Sequence, residues 1–409
     1  MLDIKYLKEN LKEAKKALSK KHTQFDLEKV IRLYDDKQIM QQKIENLRAQ
    51  QNQLAKEGKK STEASKIKDE IKNLQPKLKE AESKFLKEAV LLHNIPDKSV
   101  PSKTEGDQVI KKWGKPKEFN FPVKNHAELG ETLDIIDVKR AAKVCGSRFA
   151  YLKNEAVLLQ FALINYIFEK LSKKGFLPMV VPGLVREQAM FGTGFFPTEK
   201  KEYFKTEEDD LFLAGTAEVP LCSYRADELI NEKDLPLKYA GFSSCFRREA
   251  GTYGRDTQGI FRLHQFDKIE MFVFAKPERS EQIFGELINI NEEICQELEL
   301  PYQLLNISGG ELGAPNAKKI DTEIWFPSQK KYRELTSCSL DTDFQARRLN
   351  IKYQAKDGKK EYIHTLNDTA LAIGRTIAAI IENYQEKDGS VKIPKALHKY
   401  LPFSQIGPK

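Results

Sequence analysis

Apolar residues recur at spacings of three and four through Leu33, Met40, Ile44, Leu47 and Leu54, with Lys37 and Gln51 at the other seam positions. That spacing lines one side of a helix, as in one strand of a coiled coil. After the polar stretch AKEGKKS the pattern resumes at Ile67, Ile71, Leu74, Leu78, Ala81, Phe85 and Leu92. Two helices joined by one tight turn run antiparallel, so residues 27 to 92 are predicted to form a helical hairpin. Each segment of about 30 residues would reach roughly 45 Å. Pro76 predicts a kink and not a stop, because the seam keeps its register beyond it.

Residues 1 to 25 precede the hairpin as a short helix and a Lys-rich connection, and residues 93 to 119 have the Pro, Gly and polar character of a linker. These shifts divide the chain into an N-terminal domain over 1 to 100, a connection over 101 to 120 and a larger domain over 121 to 409. In the last, Val157, Phe161, Ile164, Phe168 and Leu171 mark an amphipathic helix that Gly175 closes. GFLPMVVPGLV, 175 to 185, follows as an apolar strand with Pro182 near its end.

Residues 245 to 271, CFRREAGTYGRDTQGIFRLHQFDKIEM, place two strand-like stretches around a loop holding Gly251, Gly254 and Gly259. Alternation puts Arg247 with Glu249, and Phe266 with Lys268 and Glu270, on shared faces. A core-facing strand does not carry so much charge. Arg247 beside Arg248, with Arg262 returning on the second strand, makes a cationic cradle suited to polyphosphate or carboxylate. A solvated hairpin with incidental salt bridges would read the same way.

A chain of 409 residues allows two or three domains. The net charge of +8 suits a polyanionic partner, though the signal is mild because 31% of residues are charged with both signs interspersed. Cys145, Cys222, Cys245, Cys295 and Cys338 are scattered without a CxxC, which indicates neither a disulfide framework nor a cysteine zinc site and fits a reducing cytoplasm. The N-terminus lacks the apolar core of a secretory signal. The longest apolar stretch, AVLLQFALINYIF, is broken by Gln160 and Asn165 and is too short to span a bilayer, so no membrane association is expected.

The FRxE strand, loop and returning strand resemble motif 2 of class II aminoacyl-tRNA synthetases, and FRREAGTYGRDTQGIFRLHQFDKIEM is very similar to the corresponding string of seryl-tRNA synthetases. GFLPMVVPGLV resembles motif 1, and HTLNDTALAIGRTIAAIIENY, 364 to 384, resembles motif 3. HAELGETLDIIDVKRAAKVCGSRFAYL resembles the entry to the catalytic domain. The resemblance implies an α+β fold: a class II antiparallel β-sheet flanked by helices, preceded by a long antiparallel coiled-coil arm. It also implies a homodimer with Pro182 at the interface, and an arm that grips the long variable arm of tRNA(Ser). Outward residues such as Arg32, Lys43, Arg48 and Lys72 are candidate phosphate contacts.

By the same resemblance, Thr216, Ala217 and Glu218 of LAGTAEVPL hold serine, and Glu270 receives its ammonium and hydroxyl. Asn367 and Thr369 close the pocket. Read from spacing alone, Thr216 is equally a helix cap, with Val219 where a capping box wants Glu or Gln. ATP is expected on Arg247, Arg248, Glu249, Arg262, Phe266, Glu334, Leu335, Thr336, Ser337 and Arg375. Within that set Phe266 stacks on the adenine, Glu249 reads its amino group and Arg375 meets the terminal phosphate. Mg2+ is expected at Glu334 and Ser337 of RELTS, where hard oxygen donors suit it. Arg247 and Arg375 are the residues implied for catalysis.

Many relatives read NGS where this chain reads NDT, so Asp368 bears on the local loop conformation. The implied activity is activation of L-serine with ATP, then transfer to tRNA(Ser) and also tRNA(Sec). A ligase that loads a carrier protein is one rival, which typically lacks the hairpin. Prolyl- or threonyl-type synthetases would need an anticodon-binding domain beyond motif 3. A non-catalytic coiled-coil tRNA-binding paralogue would not need Arg247, Glu249, Glu334 and Arg375 together.

Overall fold

The structure, a computed structural model, describes residues 1–21, 25–56, 62–250 and 259–408. The tight turn expected after Lys56, and Gly251 and Gly254 of the motif 2 loop, lie outside the described residues.

Helices α1 (Leu27–Lys56) and α2 (Thr62–Ala89) form the antiparallel pair. Ile44, Ile67 and Ile71 are buried between them with Leu47, Leu54, Leu74 and Leu78, the seam that the spacing predicts. Pro76 sits inside α2, which continues past it. Ion pairs Lys29–Glu88 at 2.7 Å and Lys43–Glu70 at 2.8 Å cross the hairpin. Such exposed pairs contribute about 0–1 kcal/mol each, so they align the helices more than they stabilise them. At the base, Leu27, Val30, Phe85, Ala89 and Leu92 pack with Leu2, Leu7 and Leu18 of the first residues and with Phe344.

The larger body is built on eight strands: β1 (Gln108–Trp113), β2 (Leu177–Val180), β3 (Leu237–Phe246), β4 (Gln265–Ala275), β5 (Tyr302–Asn306), β6 (Lys318–Phe326), β7 (Lys331–Thr342) and β8 (His364–Ala372). Their order is β1-β5-β6-β7-β8-β4-β3-β2. Every neighbouring pair is antiparallel except β2 with β3. Residues 101 to 120 therefore do more than connect, because β1 within them closes one sheet edge against β5. Helices α3 (Glu155–Lys173), α4 (Ser280–Glu297) and α5 (Ile373–Asn383) cover the sheet.

In α5 the isoleucines at 373, 377, 380 and 381 are all buried, as the motif 3 periodicity predicts. Helix α3 differs from expectation. Its buried face runs through Leu159, Leu163, Ile167 and Leu171, whereas Phe161 is 55% exposed. Because α3 is apolar on most of its circumference, the sequence alone does not choose which stripe meets the core.

Candidate active site

The motif 2 hairpin is formed by β3 and β4, with Phe246 opposite Gln265 and Cys245 opposite Phe266. Strand geometry stops at that pair. Arg247, Glu249 and Arg262 therefore lie beyond the strands, and Glu249 has a left-handed φ of +49°, so simple alternation no longer sets its direction. Arg262 lies ahead of β4 and not on it, and its guanidinium donates to Glu249 Oε2 at 2.5 Å. Both line one cleft with Arg247, Phe266, Glu334 and Arg375.

Arg247 Nε donates to Gly215 O at 3.0 Å, and its guanidinium lies 5.4 Å from the centroid of Phe266. Glycine is required at 215, since a Cβ there would sit 2.6 Å from the Tyr203 ring. Arg248 goes elsewhere: Nε donates to Tyr203 O at 3.1 Å and the guanidinium stacks 4.6 Å from Phe204, outside the cleft lining. The returning chain is tied down by His126. The Ile260 amide donates to its Nε2 at 3.2 Å, which leaves Nδ1 protonated to meet Glu382 of α5 at 2.8 Å.

Deeper in the cleft, β8 pairs with β4 so that Thr369 stands opposite Glu270. Thr216 and Thr369 hydroxyls each donate to Glu270 Oε2 at 3.4 Å. The Lys268 ammonium pairs with the same carboxylate and donates to Thr369 Oγ1 at 3.3 Å. Lys268 is not among the residues expected to act, yet it is buried and lines the cleft. The signal was present, because alternation already puts Lys268 on the face of Phe266 and Glu270. Glu218 is buried next to Thr216 and accepts from Gln345 Nε2 at 2.8 Å. Burial, with Asp341 and Glu270 nearby, pushes its carboxyl well above the ordinary range.

Residues 367 to 369 are strand, not loop, so the Asp368 substitution has no loop to disturb. Asn367 donates to Asp341 Oδ2 at 2.8 Å. Asn291 of α4 donates from Nδ2 to the Asp368 carboxylate, whose two oxygens lie 2.7 and 2.8 Å away, on the side away from Thr369. Asn291 also donates to Thr336 Oγ1 at 2.9 Å, so the Thr336 hydroxyl faces α4 and not the cleft. Asp341, Gln345 and Asn291 support the site without belonging to any motif, and no sequence pattern singles them out.

Glu334 and Arg375 meet at the cleft rim, 3.4 Å apart, and Arg375 also donates to Glu334 O at 2.9 Å. Partial loss of water in the cleft acts to raise the exposed Glu334 carboxyl, but Arg375, Lys319 and Arg247 hold it below its ordinary value. Across the β6–β7 ladder, Asp321 stands opposite Ser337 and Glu323 opposite Glu334. Burial pushes Asp321 up to about 6, against Lys319 and reinforced by Glu334, and its Oδ1 is buried without a partner among the described residues. Among the described residues no cluster of three or more Asp, Glu, His or Cys side chains could hold a metal ion on its own, so a hard divalent cation at Glu334 and Ser337 would take its remaining oxygens from substrate phosphates and water.

The same chain matches two family descriptions: "Seryl-tRNA synthetase N-terminal domain" over residues 1–96 and "tRNA synthetase class II core domain (G, H, P, S and T)" over 199–384. It is 43% identical to a serine–tRNA ligase of Dictyoglomus turgidum, covering 100% of both chains. A serine–tRNA ligase of Thermodesulfovibrio yellowstonii is 40% identical over 99% of this chain and 100% of that one. Among solved structures, seryl-tRNA synthetase from Pyrococcus horikoshii complexed with ATP superimposes with a TM-score of 0.91 at 40% identity, covering 100% of both chains. Cytoplasmic serine–tRNA ligase of Naegleria fowleri in complex with AMP gives 0.88 at 31% identity, over 100% of this chain and 99% of that one. With the N-terminal domain and the class II core both matched, and full-length relatives at 40% and 43% identity, the chain belongs to the seryl-tRNA synthetase family.

Proposed function

We propose that this chain activates L-serine with ATP and transfers the seryl group to the terminal adenosine of tRNA(Ser), and of tRNA(Sec), working in the cytoplasm. The observation that carries the reading is the union, in one cleft, of Arg247 with Lys268 and Thr369, which both bond the buried Glu270 behind them. One end suits a phosphate. The other suits a small ammonium-bearing substrate with a hydroxyl.

The serine carboxylate attacks the α-phosphorus of ATP, forming seryl-adenylate and releasing pyrophosphate. A ribose hydroxyl of the tRNA then takes the seryl group and AMP leaves. Arg247 neutralises charge at the α-phosphate, Phe266 carries the adenine, Glu249 reads its amino group, and Arg375 meets the outer phosphates. Positioning and fixed charge of this kind supply most of the acceleration without a dedicated general base. Glu334 and Ser337 would hold Mg2+, with Asp321 next to them; the ion supplies charge neutralisation on the phosphates. Thr216, Glu270, Asn367 and Thr369 form the serine pocket, and a site that pairs the substrate hydroxyl can reject alanine by up to about 10⁴-fold. Serine-dependent ATP–pyrophosphate exchange, run beside the other amino acids, tests the reading; exchange with another amino acid instead of serine would refute it.

Within that pocket Lys268 holds Glu270 and Thr369 together. Lys268→Met is expected to raise the KM for serine by about tenfold, the scale of losing one charged hydrogen bond, with the KM for ATP nearly unchanged. An equal rise in both constants would remove Lys268 from the amino-acid side.

A homodimer is supported by an apolar surface that the described residues leave uncovered. Val180 on edge strand β2 is 80% exposed, and Leu177, Pro182, Leu184, Leu158 and Phe161 are exposed around β2 and α3. Sheet edges and apolar faces of this kind are normally covered. Val180→Asp is expected to shift the chain from dimer to monomer in sedimentation at micromolar concentration, and a monomeric wild type would refute the assembly.

Among the described residues no helix is long and apolar enough to cross a membrane.

A further inference from the structure

The segment before the arm reaches the back wall of the amino-acid pocket. Lys21 follows the helix Leu11–Leu18 and is 5% exposed; its ammonium donates to Gly313 O at 2.9 Å and Asn316 O at 3.0 Å. Asn316 Nδ2 donates to Asp341 Oδ1 at 2.7 Å, and the other oxygen of Asp341 receives Asn367 Nδ2 at 2.8 Å. A continuous polar chain thus runs from the N-terminal segment to a pocket residue.

The docking around it is close. Asn94 donates to Asp341 O at 2.7 Å and to Pro315 O at 2.8 Å. A Cβ at Gly309 would sit 2.5 Å from Lys20 O. An ammonium buried on two neutral carbonyls is costly unless a carboxylate lies nearby. Burial brings Lys21 down to about 7 while Asp341 acts to raise it; burial pushes Asp341 up to about 7, while Asn316, Lys21 and Asn367 act to lower it.

We propose that Lys21 is a positioning residue for the amino-acid pocket: through Asn316 it supplies the counter-charge that holds Asp341 in its hydrogen bond to Asn367. The N-terminal domain then completes the serine site in addition to carrying the arm. This inference rests on the serine pocket proposed above. A lysine that merely plugged the domain boundary would affect folding without distinguishing the two substrates.

The test compares the unaltered full-length chain with Lys21→Met, Asp341→Asn and the double variant in serine-dependent ATP–pyrophosphate exchange. Lys21→Met is expected to raise the KM for serine about tenfold, the scale of coupling between residues in one buried network, and to leave the KM for ATP within about twofold. The double variant is expected to be no worse than Asp341→Asn alone, because no uncompensated carboxylate remains. Equal changes in both KM values, no change in either, or additive losses in the double variant would overturn the inference. If Lys21→Met does not fold, the double variant is expected to recover the fold, and its failure to do so is equally contrary. Absence of serine-dependent exchange in the unaltered chain would instead defeat the serine reading, and this inference with it.

Discussion

Replacing Arg247 by alanine is expected to lower serine-dependent ATP–pyrophosphate exchange by at least about 10²-fold, the scale for losing one preorganised donor to developing charge. The side chain is held in place by the fold itself. Nε is fixed on Gly215 O, the guanidinium rests against Phe266, and the backbone amide donates to His264 O at 3.0 Å. A group fixed in this way costs no reorganisation at the moment of reaction. Because negative charge on the α-phosphate grows as the carboxylate attacks, the loss should appear mainly in kcat and less in either KM. Arg247→Lys keeps the charge but loses the planar fork, so an intermediate rate is expected. Near wild-type exchange in the alanine variant would leave the cleft without its central electrostatic group.

The helical arm was legible because its signal is local. Leu47, Ile71 and their neighbours report one face of a helix within a few residues, and Pro76 does not disturb that register. Strand order is different, since β8 lies between β7 and β4 although α4, β5 and β6 intervene between those two strands in the chain. No local period records such an insertion. The motifs located the cleft, but the direction of each side chain depended on where strand geometry ends. Arg248 turns to Phe204 because the strand has already stopped, and the Thr336 hydroxyl turns to Asn291 because β7 presents it to α4. A bulge between β6 and β7 falls beside Glu334, so counting in twos from that residue does not carry through RELTS. Lys268 could have been found by alternation, whereas Asp341 and Gln345 acquire meaning only from the groups folded against them.

Shortening the arm should separate the two half-reactions. The cut has to respect the basal core: removing residues 30 to 90 would take away Val30, Phe85 and Ala89, which pack with Leu7, Leu18 and Phe344. Excising residues 40 to 75 and bridging the helices with a short flexible link removes Lys43, Arg48 and Lys72 and leaves that core, with Lys21, in place. Exchange is expected to stay within about twofold of wild type, because among the described residues the cleft lining and the distal hairpin cluster share no side chain. Charging of tRNA(Ser), measured as kcat/KM, is expected to fall by about 10³-fold, the usual distance between specific and non-specific nucleic-acid binding. Raising the salt concentration should weaken charging less in the shortened chain, since fewer phosphates are neutralised. Equal loss of both activities would mean that the hairpin supports the catalytic sheet. Survival of both would mean that the tRNA is recognised elsewhere on the molecule.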